Sequence, residues 1–531
     1  MSTEIERERM GDFPVQHGEQ VQMRQEKTPG GPANAAGAEY GAQLAAAGSS
    51  KPVTAETQAV GLSEASKRLL PWLVGVALFM ESLDTTILNT AVPAVSAALH
   101  VGPLSMKSVL ASYTLSLAVF IPISGWMADK FGTRKLFASA IGIFTFGSLL
   151  CGMCSNIHLL VACRVLQGCG GAMMVPVGRL TLVRTFAKSE LLRAMSFISI
   201  PALVAPMLGP IAGGLIVGYL HWRYIFFLNV PIGLIGLVLV YMHLPNFFEE
   251  NVQPLDFVGL ILFGAGIALL SYVLEIFGEH ALSSREITGL LALSIFLLIG
   301  YVIHARHTAF PLLDLGLFRI RTFRAAVTGG FVTRLGMGGI PFLLPLLYQL
   351  GLGYTAIQSG LLIMPQAIGT GVMKIVLTRL LDAIGYRGVL ISNTIIIGLL
   401  IVSFATIGQH SSLWYIVALA FFYGLFSSLQ YTSMNTLAYA DTTETETSNA
   451  SSIASTVQQM AISFGVAIAG LVTAFFIPST PVSRPEDAIH GLHRAFILLG
   501  GLTVLSTSVF GILRKGDGDD MSRRKVDHSG G

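Results

Sequence analysis

The chain contains a series of apolar segments, each long enough to cross a lipid bilayer as a helix. A spanning helix needs about 20 predominantly apolar residues. Because lipid offers no hydrogen-bonding partners, the backbone of such a segment must satisfy its own polar groups, as a helix does. The candidate segments are 69–94, 108–128, 136–154, 157–178, 195–219, 224–244, 255–277, 287–305, 325–349, 356–380, 388–408, 412–434, 449–476 and 492–513. We therefore predict an all-α integral membrane protein with fourteen transmembrane helices.

Composition excludes several classes of protein. Only 12% of the 531 residues are charged, whereas an average soluble domain has about 25%. The formal net charge of +3 is too small to indicate a nucleic-acid partner. No G-x-x-x-x-G-K-[ST] phosphate loop occurs, so nucleotide hydrolysis is not implied and no cofactor is expected. Disulfides and a zinc site are not expected either, because every cysteine lies in an apolar segment, at Cys151, Cys154, Cys163 and Cys169.

The ends of the chain and its short loops predict the orientation. Residues 1–66 are polar or rich in Ala and Gly and lack the apolar core of a signal peptide, which indicates a disordered cytoplasmic tail. Lys and Arg are concentrated in the loops that are cytoplasmic if the N-terminus is cytoplasmic. The acidic inner loops 245–254 and 435–448 are exceptions, but acidic residues contribute little to orientation. We predict a multi-pass protein of the plasma (inner) membrane with both termini cytoplasmic and the loop at 480–490 outside.

Two inner loops repeat the same three residues. The pairs, each offset by 253 positions, are Asp129 and Asp382, Gly132 and Gly385, and Arg134 and Arg387. Two related halves with a site at their interface are typical of transporters. The repeat predicts six-helix bundles at 67–245 and 311–514, a two-helix insert at 246–310, and tails at 1–66 and 515–531.

Charged residues inside two apolar segments are candidate functional residues, since a charge in the membrane is costly. Asp84 lies in the first segment, where low dielectric allows a carboxyl group to take up and release a proton near neutral pH. The alternative is that Asp84 is a buried, structural hydrogen-bonding residue. Arg164 in the fourth segment needs a partner, and Gln167, three positions later, lies on the same helical face.

The first repeated loop runs from Gly125 to Lys135. Gly125 permits close helix packing, and Gly132 permits a tight turn. Asp129 can pair with a helix N-terminus or with a nearby arginine across the gate. The alternative, a positive-inside anchor at the cytoplasmic face, explains Arg134 and Lys135 but leaves Asp129 unexplained.

The fifth segment contains Pro206-Met-Leu-Gly209-Pro210-Ile-Ala-Gly213-Gly214. Proline kinks a helix, and small residues let a neighbouring helix approach closely. We expect a smooth, kinked face that allows two halves to close. The segment 222–231 that follows is interpreted as an interfacial anchor at the outer edge of the membrane.

These motifs resemble those of the major facilitator superfamily, in particular its fourteen-span drug:proton antiporter branch (EmrB/QacA type) and the MdtD- and HsrA-like multidrug transporters within it. The resemblance covers roughly residues 69–513. It implies the major facilitator fold, with two six-helix bundles and a two-helix insert. It also implies that Gly125, Asp129, Gly132 and Arg134 take part in the switch between outward- and inward-facing states.

The resemblance further assigns roles in the membrane. It places Arg164 near the carboxylate of the first segment, where the cation would favour the ionised form of Asp84 until substrate or proton competes. It identifies Gly209, Pro210 and Gly213 as part of the antiporter motif, which separates exporters from symporters. Ala205 stands where some versions of the motif have glycine.

These observations together predict proton-driven efflux of small amphipathic molecules or drugs by alternating access, and not an enzyme. The partners would be the small-molecule substrate, protons and the lipid bilayer, with a periplasmic adaptor and an outer-membrane channel as further candidates. One alternative is a proton-coupled symporter of a small metabolite, which the Gly209-Pro210 motif disfavours. Another is a transport-inactive membrane sensor or an integral-membrane enzyme. His304 and His307, in a basic inner linker, are interpreted as lipid-facing anchors rather than as part of an enzyme site.

The predicted substrate cavity involves Glu81, Gln167, Arg334 and Lys374. Glu81 precedes Asp84 by three positions, so both carboxylates lie on one helical face and Glu81 is also a candidate for proton coupling. The repeat offset relates Arg334 to Glu81, which places the two at equivalent depths in opposite halves. Either they form a salt bridge that makes both charges tolerable, or they bind substrate or gate the cavity, with Lys374 adding positive charge.

Overall fold

The computed structural model describes residues 64–186, 188–249, 252–276, 283–443, 446–476 and 485–518. The predictions for the tail at 1–63 and for the loop at 477–484 lie outside the described residues. No strand occurs within those ranges. The helices are α1 (Glu64–Ala98), α2 (Lys107–Phe131), α3 (Thr133–Met153), α4 (Ile157–Thr185), α5 (Lys188–Tyr219), α6 (Tyr224–Phe227), α7 (Asn229–His243), α8 (Phe257–Ile276), α9 (Ser284–His307), α10 (Arg321–Met337), α11 (Ile340–Leu346), α12 (Ala356–Ser403), α13 (Leu413–Leu437), α14 (Thr447–Phe476), α15 (Pro485–Leu505) and α16 (Thr507–Phe510).

The predicted all-α membrane architecture is confirmed. In the part of the chain that the structure describes, twelve helical stretches are long and apolar enough to cross a membrane. Two predicted segments, 356–380 and 388–408, fall in the single helix α12, which is interrupted where Gly385 leaves the helical conformation. A third, in α5, has an apolar part of only Val204–Tyr219. The count of fourteen therefore remains a prediction.

The predicted repeat is visible in the backbone at its two glycines. Gly132 has a φ of 91° and Gly385 a φ of 75°. Only glycine adopts this region readily, because a Cβ would meet the neighbouring carbonyl. In addition, a Cβ at Gly132 would collide with the side chain of Asn246. The tight turn predicted at Gly132 thus occurs in both halves, 253 positions apart.

The buried apolar residues form one cluster shared by the two halves at one end of the molecule and separate clusters at the other end. One apolar cluster contains buried residues of both halves, such as Leu99 and Phe404, at the end that carries the loops 99–106 and 404–412. At the opposite end one cluster belongs to the first half, with Val74 as a member. Another belongs to the second half and the insert, with Leu437 as a member. The two halves thus share an apolar cluster at one end, called the closed end below, and have separate clusters at the other, called the open end.

Specific contacts between the halves occur toward the closed end. Gln349 Nε2 donates to the Thr90 carbonyl at 2.9 Å. Ser463 Oγ donates to the Ala111 carbonyl at 3.0 Å. Gly360 lies so close to the carbonyl oxygen of Pro210 that a Cβ there would clash. Helix α5 of the first half therefore packs directly on α12 of the second.

The two insert helices, α8 and α9, are held together at the inner end of the predicted topology. Asp256 accepts hydrogen bonds from His304 Nε2 at 2.7 Å, from the Gly259 amide at 2.7 Å and from the Leu312 amide at 3.1 Å. Burial acts to raise the pKa of Asp256, but these hydrogen bonds outweigh it and hold the pKa below its usual value. The interpretation of His304 as a lipid-facing anchor is wrong, because its ring reaches a carboxylate instead.

The chain after α16 packs against the second half. Arg321 forms an ion pair with Asp517, and the Arg514 amide donates to Asp517 Oδ2 at 2.8 Å. Gly518 is buried against Tyr386 and Leu437. Packing on the second bundle thus continues beyond the predicted boundary at residue 514.

Candidate functional site

A closed polar network surrounds Asp84 in the interior of the first half. Arg164 Nη1 donates to Asp84 Oδ2 at 2.5 Å. Gln167 Nε2 and Asn229 Nδ2 both donate to Asp84 Oδ1, at 2.9 and 3.0 Å. Asp84 and Arg164 are each only 1% exposed. Arg164 thus lies next to the carboxylate of the first segment, as the resemblance implied, and Gln167 is a direct partner of Asp84.

Two residues of this network were not singled out in the sequence. Ser148 on α3 accepts from Asn229 Nδ2 at 3.1 Å and from Gln167 Nε2 at 3.3 Å, and donates to the Phe226 carbonyl at 2.9 Å. Asn229, the first residue of α7, is 1% exposed. The interpretation of 222–231 as an interfacial anchor is wrong for Asn229 and for Trp222, which is also buried. The sequence feature that points to Asn229 is its side-chain amide inside an apolar segment.

Other protein groups surround the guanidinium of Arg164 and bury the ion pair. Its guanidinium lies over the ring of Tyr113, 4.2 Å from the ring centre. Its Nη1 also donates to Gln167 Oε1 at 2.9 Å, and its Nε to the Val109 carbonyl at 3.5 Å. Removing one partner of such a pair costs about 3–5 kcal/mol, because the remaining charge stays buried and unpaired. Separating the two charges is therefore costly as long as both stay buried.

Glu81 lies one helical turn before Asp84 and has a different environment. The side chain is half-buried, and its Oε2 is buried without a hydrogen-bond partner. The charges that act on Glu81 most strongly are Arg179 on α4 and Asp84. Within the described ranges, Glu81 and Arg334 form no ion pair, so the salt bridge, one of the two alternatives for this pair, is absent from this conformation. Glu81 is thus the carboxylate of α1 with a free oxygen.

A cavity of about 190 Å³ lies between the halves. Its walls come from α1, α5, α11 and α12, and include Asn89, Pro210, Gln366 and Lys374. Lys374 thus lines a cavity between the halves, and its role in binding substrate stays a prediction. Gln167 belongs to the buried network rather than to this wall, and Glu81 and Arg334 are not among the residues that line the cavity. The antiporter motif reaches the cavity through Pro206 and Pro210.

Arg334 forms a second buried cationic site, in the other half. It is 4% exposed. Its Nη2 donates to Asn435 Oδ1 at 2.9 Å and to Gln458 Oε1 at 3.2 Å. The guanidinium lies 5.1 Å from the centre of the Tyr431 ring, and its Nε has no partner.

The loop at the open end forms an ion-pair cluster around Asp129. Arg184 Nη2, near the end of α4, bridges Asp129 Oδ1 at 2.8 Å and Glu249 Oε1 at 3.0 Å. The Glu249 amide donates to the Asp129 carbonyl at 2.9 Å, and the Arg134 amide to Asn246 Oδ1 at 3.2 Å. The predicted arginine partner of Asp129 is thus present, but it belongs to the same half.

Glycines near this loop and in α5 differ in what they contact. A Cβ on Gly125 would meet nothing within 4 Å, and the residue is exposed, so the predicted close packing there is wrong in this conformation. Gly209 and Gly213 face Thr86 and Ile87 of α1, with no room for a side chain. Helix α5 thereby packs directly on the turn of α1 that follows Asp84.

Comparison with known proteins agrees with this architecture. A family model described as Major Facilitator Superfamily matches residues 74–466 and 326–525. Multidrug resistance protein MdtD of Serratia proteamaculans (strain 568) is 37% identical over 426 residues, which are 80% of this chain and 88% of that protein. The MdtD of Escherichia coli O157:H7 (strain EC4115 / EHEC) is 40% identical over 413 residues, covering 77% of this chain and 87% of that protein. The resemblance to MdtD-like transporters is thus confirmed.

Solved structures share the fold at low sequence identity. The POT family transporter PepTSo matches with a TM-score of 0.63 and 13% identity, over 84% of this chain and 97% of that one. A bacterial homologue of the human lysosomal transporter Spinster, solved in an inward-facing and occupied conformation, matches with a TM-score of 0.60 and 12% identity, over 85% and 97%. From the family match, the relatives and this shared fold together, the chain belongs to the major facilitator superfamily, whose members are membrane transporters rather than enzymes.

Proposed function

We propose that the protein is a proton-driven exporter of small amphipathic molecules or drugs that works by alternating access. The observation that carries this proposal is the pair of carboxylates on α1. Asp84 is held in a closed ion-pair network, while Glu81, one turn away, has an oxygen without a partner. The same helix lines the cavity between the halves through Thr86, Asn89 and Thr90. A proton and a substrate can therefore act on one helix.

The moving parts are the bundles at 67–245 and 311–514, with 246–310 as an insert. With both termini in the cytoplasm, the closed end faces outward and this conformation is inward-facing. A proton taken up from outside neutralises the acidic pair. After the switch to the inward-facing state, substrate binding from the cytoplasm favours release of that proton, and Arg164 pairs with Asp84 again. The loaded protein then reopens outward.

The residues of the gate would act at the two ends. Pro210 and Gly214 of α5 meet Gly360 and Ala356 of α12 at the closed end. Asp129, Arg134 and the turn at Gly132 form the open end, together with Arg184. Similarity to MdtD supports multidrug efflux across the inner membrane as the activity. The resemblance extends the proposal to a periplasmic adaptor and an outer-membrane channel that would receive the exported molecule.

Transport by everted membrane vesicles tests this proposal. Vesicles that contain the protein would be offered a panel of cationic, neutral, anionic and zwitterionic fluorescent compounds, with an imposed pH gradient and after its collapse by nigericin. We expect gradient-dependent accumulation of at least one class, which vesicles without the protein do not show. Accumulation that survives loss of the gradient would exclude proton-driven export, and accumulation of none would exclude export of these classes.

A further inference from the structure

The second half contains a buried cation whose charge is not compensated. Arg334 on α10 is 4% exposed, and the acceptors of its hydrogen bonds are the neutral amides of Asn435 and Gln458. In the described part of the chain no carboxylate forms an ion pair with it. A buried guanidinium ordinarily has an anionic partner, because its desolvation is costly. The buried arginine of the first half, Arg164, which is not related to Arg334 by the repeat, has such a partner in Asp84.

The geometry around Arg334 leaves part of its hydrogen-bonding capacity unused. Its Nε is buried and makes no hydrogen bond. Both hydrogen bonds of the Arg334 side chain come from Nη2. Tyr431 lies against the guanidinium, 5.1 Å from ring centre to Cζ. Asn435 is exposed, which places the group at the wall of the open end. The guanidinium thus keeps donors unused beside an accessible amide.

We propose that Arg334 is a recognition site for a carboxylate or other oxyanion group on the transported molecule. Arginine presents a planar fork of N–H donors that matches an oxyanion, and a charge-assisted pair is strong in a desolvated site. The cargo is therefore an amphipathic organic anion or zwitterion. This inference rests on the proposed function, because it names the chemical class of the cargo.

The opposite half supplies the complementary charge. Glu81 on α1 carries a carboxylate oxygen without a partner, and Lys374 on the cavity wall adds a second cation on the side of Arg334. An amine on the cargo would meet Glu81, while its oxyanion would meet Arg334. The two charges that the repeat relates thus face different ends of one molecule instead of each other.

Equilibrium binding to purified full-length protein tests the site without a proton gradient. The probes are dansylglycine, which has a carboxylate, and dansylglycinamide, which replaces it by a neutral amide. Arg334→Gln removes the cation. Gln458→Glu keeps Arg334 but places a carboxylate beside it, which occupies the site and offsets the buried charge. Arg324→Gln, an exposed arginine on the same helix, removes the same charge elsewhere.

We expect the wild type to bind dansylglycine about tenfold more tightly than the amide. Arg334→Gln and Gln458→Glu should each remove that preference, while Arg324→Gln retains it. If Arg334→Gln does not fold, Gln458→Glu still tests whether Arg334 is responsible for the preference for the carboxylate probe. Equal or absent binding of the two probes by the wild type, or an unchanged preference in Gln458→Glu, would overturn the proposal. Loss of proton-driven transport in vesicles would instead overturn the proposed function, so the two failures are distinguishable.

Discussion

Asn229 Nδ2 lies 3.0 Å from Asp84 Oδ1, although the two residues are 145 positions apart in the chain. Asn229 begins the short helix α7, and the same amide group contacts Ser148 on α3. The carboxylate of α1 is thereby tied directly to α4, through Arg164 and Gln167, and to α7, through Asn229, and indirectly to α3 through Ser148. A change in the charge of Asp84 consequently alters its contacts with α4 and α7 and, through them, those with α3.

The first prediction concerns this network. Asp84→Asn leaves Arg164 buried without an anion, which should lower stability by roughly 3–5 kcal/mol and abolish substrate-induced proton release. Adding Arg164→Gln removes the stranded charge, so the double variant should regain much of the lost melting temperature but not the proton release. Thermal melting in detergent and pH recording on substrate addition measure the two effects. A single variant that melts like the wild type would show that the pair does not support the fold.

The second prediction concerns the ion pair at the open end. Asp129→Asn removes one of the two carboxylates that Arg184 bridges, both partly exposed. An exposed pair contributes up to about 1 kcal/mol, which corresponds to at most about a fivefold slower transport cycle with unchanged substrate affinity. Turnover in proteoliposomes measures the rate of the transport cycle, and equilibrium binding measures the substrate affinity. Lys130→Gln, which removes the adjacent exposed charge, is the control. A changed affinity in Asp129→Asn would place this residue in the substrate site instead.

The third prediction concerns the contact between α5 and α12. Gly360→Val places a side chain against the Pro210 carbonyl, and overpacking of this kind costs about 1–3 kcal/mol. The closed end should then open more often. In a background without native cysteines, Thr90→Cys should react faster with a membrane-impermeant maleimide added from outside. Gly371→Val is the control, since a Cβ there meets nothing within 4 Å. Equal labelling of the two valine variants would argue against a gate at this contact.

The fourth prediction concerns pH and the insert. The hydrogen bonds to Asp256 hold its pKa below the usual value, so its contribution to stability is present above about pH 4 and is lost as the pH falls through the lowered pKa. Asp256→Asn should therefore lower the melting temperature at neutral pH, with a difference that shrinks below about pH 4. Melting curves of both proteins across pH measure this. Asp314→Asn, in the neighbouring loop, is the control. A difference that grows on acidification would contradict the assignment.

The sequence predicts charged residues in the membrane better than neutral ones. Asp84, Arg164 and Arg334 stand out because a charge in an apolar segment is costly and rare. Asn229 and Ser148 do not, because neutral polar residues are common in such segments and their roles depend on which helices meet. The repeat related Glu81 to Arg334 by depth, but only the three-dimensional packing shows that their side chains find different surroundings.

Glycines show a similar limit. Gly132 was predictable, since its turn recurs at Gly385 and demands a positive φ at each position. The prediction of close packing at Gly125 is wrong in this conformation, because close packing requires a neighbour and none lies opposite it. Gly385 also shows why the number of membrane spans does not follow from helix lengths alone, because α12 continues through the turn between two predicted segments.

The central proposal, exchange of a proton for the cargo, is tested most directly by recording proton release from purified protein in weakly buffered detergent solution. The substrate would be the compound that gives the largest response in the vesicle assay. The wild type should release protons on its addition, and Glu81→Gln, which removes the carboxylate with a free oxygen, should release fewer protons per molecule of compound bound. Substrate binding by the wild type with no proton release at any pH between about 5 and 8 would contradict the proposal.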